Sequence, residues 1–135
     1  MKKILFFLIL SGLAFGQKIG VCNLSENELQ LFSEKLASPS GITSQSITKK
    51  TSLGYVVKFE KDLKIMFTND GGKYSLYDIQ GKNEVVKNIW KSFFNPSYTE
   101  ESKDYSNDVL KDNGADIRLQ NIAGQYYIQK YSCQN

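Results

Sequence analysis

The chain has 135 residues, 17 lysines and arginines against 14 acids, and no histidine. That length suits one ordinary domain, and the missing histidine excludes Ser-His and Cys-His nucleophilic catalysis together with the usual zinc sites. Two of the lysines, Lys2 and Lys3, open the chain, so the remaining residues balance 15 basic against 14 acidic side chains, a net of +1 with Arg118 as the only arginine; that field is too weak to hold nucleic acid.

Lys2-Lys3 run into the apolar stretch 4–10 and then Leu13-Ala14-Phe15, and the run breaks at Gln17-Lys18. A charged start, a short apolar segment and the small residues Ala14 and Gly16 at the −3 and −1 positions predict a secretory signal peptide over 1–16. The stretch falls short of the roughly 20 apolar residues that a membrane span needs. The expected mature domain is 17–135, working in the periplasm or outside the cell, with no transmembrane span.

Cys22 and Cys133 lie close to the two ends of that domain. In an exported chain an even cysteine count points to a structural disulfide closing nearly the whole domain into a ring. Two other readings compete. Cys22 as an acylated lipoprotein cysteine is opposed by the branched residue in Ile19-Gly20-Val21 and by Gln17-Lys18 before it. A redox-active pair is opposed by the absence of a Cys-x-x-Cys arrangement.

Ser25 and Glu28 form a capping box and Leu24 and Leu29 stand as a hydrophobic staple, so a helix begins at Ser25. Leu29, Phe32 and Leu36 give it one apolar face, and Ser38-Pro39 ends it. The segment 40–52 is rich in Ser, Thr and Lys and reads as a polar connection. Tyr55, Val57 and Phe59, then Leu63, Ile65 and Phe67, alternate with polar residues as two half-buried strands turning at Lys61-Asp62. Asn69-Asp70-Gly71-Gly72 supplies the positive-φ residues of a tight hairpin, and 73–79 returns as a third strand. Asn83 is placed to cap a second helix carrying Val85, Val86, Ile89, Trp90, Phe93 and Phe94, stopped at Asn95-Pro96. The polar, acidic stretch 97–114 reads as a loop or short surface helix. Two strands come next, 115–121 and 125–131, joined by a turn at 121–124. Whole helices between runs of strands predict an α+β domain: an antiparallel sheet of about five strands with two helices packed on one face.

The segment Phe67-Thr68-Asn69-Asp70-Gly71-Gly72-Lys73-Tyr74, in a meander preceded by a helix, resembles the cystatin-like domain of periplasmic disulfide isomerases, although no Cys-x-x-Cys module follows it. The last hairpin, Ile117-Arg118-Leu119 through Gly124-Gln125-Tyr126-Tyr127-Ile128, is similar to the closing hairpin of small exported domains of the nuclear-transport-factor-2-like shape. Both likenesses imply shape and leave function open.

The densest acidic set is Glu100, Glu101, Asp104, Asp108 and Asp112, of which Glu101, Asp104, Asp108 and Asp112 would share a face if helical. Two acids suffice for glycoside chemistry, so a carboxylate-dependent enzyme acting on cell-wall or other glycans is one reading. No apolar wall stands beside them to raise one pKa, which favours a solvated surface. Asp112-Asn113-Gly114-Ala115-Asp116 imitates a calcium loop, but with Gly114 in the sixth position Val109 and Lys111 fall where carboxylates are needed. Asp70-Gly71-Gly72 is better explained as a turn than as a phosphate cradle, since no helix follows it.

Eight tyrosines are the remaining feature. If Ile117, Leu119 and Ile128 face the core, then Tyr77, Arg118, Tyr127, Gln129 and Tyr131 line the opposite face of the sheet. Such a row offers apolar area with polar tips at small entropic cost. The leading expectation is a non-enzymatic binding module of the inhibitor, immunity or adaptor kind, with another protein or an envelope glycan as partner and no cofactor or metal.

Overall fold

Ser25 takes an extended conformation and its hydroxyl accepts from the Glu28 amide, while the Glu28 carboxylate accepts from the Ser25 amide at 2.8 Å, so the capping box is complete. Helix α1, Glu26–Ala37, follows, and its apolar stripe buries Leu29, Phe32 and Leu36. Each fully buried leucine contributes about 1.5–3 kcal/mol. A 3-10 turn, Ser38–Ser40, ends the helix with Pro39 in its first turn and Gly41 left-handed at φ 73°. The fold comes from a computed structural model that describes residues 20–43, 45–99, 107–112 and 115–133, with 45–47 and 107–112 described in backbone only. The expected signal peptide and Glu100, Glu101 and Asp104 lie outside those residues.

Among the described residues the sheet is antiparallel throughout and has seven strands: β1 Gln45–Lys50, β2 Gly54–Phe59, β3 Lys64–Asp70, β4 Lys73–Gln80, β5 Asn107–Asp112, β6 Ala115–Ile122 and β7 Gln125–Cys133, in the order β1-β2-β3-β4-β7-β6-β5. The α+β class therefore stands, with two strands more than the hydrophobic pattern indicates. The polar connection 40–52 contains β1, and the stretch 97–114, expected as loop or helix, contains β5. Both are edge strands. They need only one neighbour, and Lys49 and Lys50 on β1 give it the charged character by which natural edges discourage further pairing. With β5 a strand, no helical face joins Asp108 to Asp112; in register they oppose Leu119 and Ala115.

Three of the tight hairpins among the described residues turn through positive φ. Lys61 and Asp62 both take positive φ, as do Gly71 with Gly72 and Ala123 with Gly124, the conformation that two-residue hairpin turns require. At the head of β2, a Cβ on Gly54 would strike the Phe67 carbonyl, so only glycine fits that close approach.

The second helix, α2, spans Asn83–Ile89, and a π-turn, Trp90–Phe94, closes it through the Asn95 amide bonding the Trp90 carbonyl at 2.8 Å. Asn83 does not cap it. Lys82 holds the capping position without a side-chain bond, while Asn83 is diverted to the β6–β7 turn, donating to the Gly124 carbonyl at 2.9 Å and accepting from the Tyr126 amide at 3.0 Å. The turn carries fully buried Trp90 into the core, stacked on Phe94. Helix side chains and Tyr55, Val57, Phe59, Ile65, Phe67, Leu76, Ile79, Ile117, Leu119 and Ile128 form one continuous core between the helices and the inner sheet face.

The two halves of the sheet, β1–β4 and β5–β7, meet along a short seam, with β4 and β7 in register only at Asp78–Gln129 and Ile79–Ile128. Where the strands part, the segment preceding α1 fills the edge of β4. Leu24 and Tyr74 exchange backbone bonds at 2.7 and 2.8 Å, and the Leu76 amide donates to the Val21 carbonyl at 2.8 Å. Asn23, held at φ 56°, turns its amide to the Ser75 hydroxyl. The Cys22–Cys133 disulfide joins this segment to the end of β7, with Cα atoms 6.2 Å apart. The predicted bond thus closes a seam as well as the ring.

Candidate functional site

Buried Ile117, Leu119 and Ile128 fix the direction of every other residue on β6 and β7. Arg118, Tyr127 and Gln129 accordingly lie on the outer face, with Arg118 opposite Gln129 and Tyr127 opposite Gln120. Two β-bulges refine the pattern. In the β3–β4 pair, Met66 opposes Asp78 and Phe67 opposes Leu76, so Tyr77 is the extra residue. In the β6–β7 pair, Asp116 opposes Ser132 and Ile117 opposes Lys130, leaving Tyr131 extra. A bulge re-aims the side chains beside it, and both tyrosines emerge on the outer face, 53% and 48% exposed. All five residues expected to form a row therefore share one side of the sheet.

Their contacts are specific. The Arg118 guanidinium forks onto Asp116, Nε to Oδ1 at 3.1 Å and Nη2 to Oδ2 at 3.2 Å, and lies 4.2 Å from the Tyr131 ring centroid. That combination of a bidentate carboxylate bond with a cation over an aromatic ring holds a planar donor in one orientation. The Tyr131 hydroxyl donates to Gln120 Oε1 at 2.7 Å and stands 3.4 Å from Gln129 Oε1. Tyr126 turns the other way, packing against the core with the Lys87 ammonium 4.8 Å from its ring centroid.

Asp78 is the residue that sequence periodicity misses. It belongs to the outer face, opposite Gln129 and Met66, yet is only 4% exposed. Its Oδ2 accepts from Gln80 Nε2 at 2.8 Å, while Oδ1 has no hydrogen-bond partner. Burial pushes its carboxyl above the ordinary range, opposed first by the hydrogen bond from Gln80; the Ile79 and Gln129 amides and the Lys64 charge also oppose it from nearby, but none closes a hydrogen bond on Oδ1. The sequence did contain a signal. Leu76 and Ile79 are both apolar but three apart, a spacing that one face of a strand buries only with a bulge between them.

Away from this face the shifted groups have structural explanations. Glu26 is held below the usual carboxylate range by its hydrogen bond to Lys50 and then by Tyr55, while burial raises the Tyr55 phenol. These bonds pin α1 to β1 and β2. No family model, no curated protein and no solved structure matches this chain, so the two hairpin likenesses remain local and the functional argument rests on geometry.

Proposed function

We propose that this protein is a small exported, non-enzymatic binding module that uses the outer face of its sheet, centred on Arg118 and Tyr131 with Tyr77, Tyr127 and Gln129 around them. The observation that carries the reading is the held guanidinium: Arg118 is fixed between Asp116 and the Tyr131 ring on a face the fold does not use for its core. Tyrosine and arginine are the residue types that dominate interface energetics, because they bring large contact area with little rotamer freedom to lose. Export is supported by the disulfide, which persists in oxidising compartments, and by the leader pattern of 1–16. Among the described residues no helix is long and apolar enough to cross a membrane.

The test is affinity capture from envelope and culture fractions with the parent protein and with Tyr127→Ala and Tyr131→Ala. Each substitution should weaken capture of the same partner by at least about tenfold while the melting temperature barely moves. Capture that survives both substitutions would refute the reading. Intact mass of the exported protein checks the compartment: the expected chain starts at Gln17 and carries no lipid on Cys22.

A further inference from the structure

The chemistry of the outer face narrows what the partner is, and this step rests on the reading just proposed. Asp78 Oδ1 is a buried acceptor without a partner, an arrangement that native structures rarely leave unexplained. The other such atom among the described residues, Ser33 Oγ, belongs to a fully buried residue of α1. Asp78 instead lies beside amides that extend across three strands. Gln80 bonds its other oxygen, Gln129 opposes it across the seam, and Gln120 is reached from Gln129 through the Tyr131 hydroxyl.

From Asp78 through Gln129 to Arg118, and from Tyr127 to Gln120, the register brings together a carboxylate, amides, a phenol and a guanidinium, and the apolar neighbour is Met66, opposite Asp78 on β3. A protein partner is usually met by an apolar centre with a polar rim. This centre is polar, and its amides both donate and accept. A sugar ring has the matching composition, with hydroxyls that do both and a C–H face suited to an aromatic ring. We infer that the β4–β7–β6 face binds a hydroxyl-rich glycan chain, with Asp78 Oδ1 accepting a sugar hydroxyl, the amides of Gln80, Gln120 and Gln129 bonding its neighbours, and Tyr127 supporting the ring. The Gln129 side chain, half-buried opposite Asp78, turns outward to admit that hydroxyl. A site built in this way discriminates by hydroxyl placement, because a ligand without the donor leaves Oδ1 unpaired.

Nitrogen-15-labelled, disulfide-bonded protein is titrated with hexamers of β-linked N-acetylglucosamine, β-linked glucose and α-linked glucose, and the side-chain amide signals of Gln80, Gln120 and Gln129 are followed. At least one hexamer should shift them saturably with a Kd of about 1 mM or tighter. Asp78→Asn, which places an N–H where Oδ1 stood while keeping an oxygen for Gln80, should weaken that binding at least about tenfold without lowering the melting temperature. Absence of a saturable shift with all three hexamers, or unchanged affinity in Asp78→Asn, would overturn the inference. If the sugars fail while a protein partner is captured through Tyr127 and Tyr131, the glycan assignment falls and the binding surface stands. If capture also survives those substitutions, both fall.

Discussion

Replacing Cys22 and Cys133 together by serine removes a link between residues 111 apart in sequence. In the chain-entropy description a loop of that size restricts the unfolded state by about 4.8 kcal/mol, and native disulfides in small domains contribute about 2–5 kcal/mol. At about 2.1 cal/mol/K per residue, unfolding a domain of roughly 115 residues carries about 0.24 kcal/mol/K, so the double variant should melt about 8–20 °C below the parent. Geometry adds a local signature. The link holds Val21–Leu24 in the gap between β4 and β7, so the amides of Leu24, Tyr74 and Leu76, which bond across that gap, should lose hydrogen-exchange protection first. The Val57 amide, in the middle of a strand paired on both sides, should follow global unfolding. Scanning calorimetry and exchange read by mass spectrometry measure the two effects. A double variant melting within about 3 °C of the parent, or one whose seam amides stay as protected as Val57, would refute this account of the bond.

Asp78→Asn should raise stability at neutral pH, because it removes a carboxylate whose charged form burial disfavours. The sign comes from linkage: the folded carboxyl titrates above its unfolded value, so the folded state binds its proton more tightly. The parent therefore loses stability relative to the variant as pH rises from below the ordinary aspartate pKa through the raised one, and the difference is constant above. Denaturant melts of both proteins across the acid range check this; a difference that does not change with pH contradicts it. Ser25→Ala should cost about 1 kcal/mol through loss of the capping bond to the Glu28 amide, seen as a lower urea midpoint with an unchanged slope.

How much of this was legible depends on how local its causes are. Helix α1 is announced by four residues around its start and the Asn69–Gly72 turn by residues that tolerate positive φ, whereas the Asn121–Gly124 turn holds Ala123 at φ 54°. The inner faces of β2, β3, β6 and β7 follow from strict alternation, and Arg118, Tyr127 and Gln129 are placed by elimination against Ile117, Leu119 and Ile128. What alternation cannot convey is non-local. Edge strands β1 and β5 are polar because one neighbour suffices, so they resemble loops. Asn83 has the composition of a cap, but a turn 41 residues away claims its side chain. The seam filled by Val21–Leu24 and the burial of Asp78 both depend on how β4 meets β7, a pairing between strands separated by a helix and two other strands.

The central claim, that the outer sheet face is the working surface, is tested most directly in the producing cell by photocrosslinking. A photoreactive phenylalanine is placed in turn at Tyr77 and Tyr131 on the outer face and at Leu31, which is 66% exposed on α1. The account predicts irradiation-dependent adducts from positions 77 and 131, of the same added species, and none from position 31. Adducts from position 31 with none from the sheet positions would contradict it.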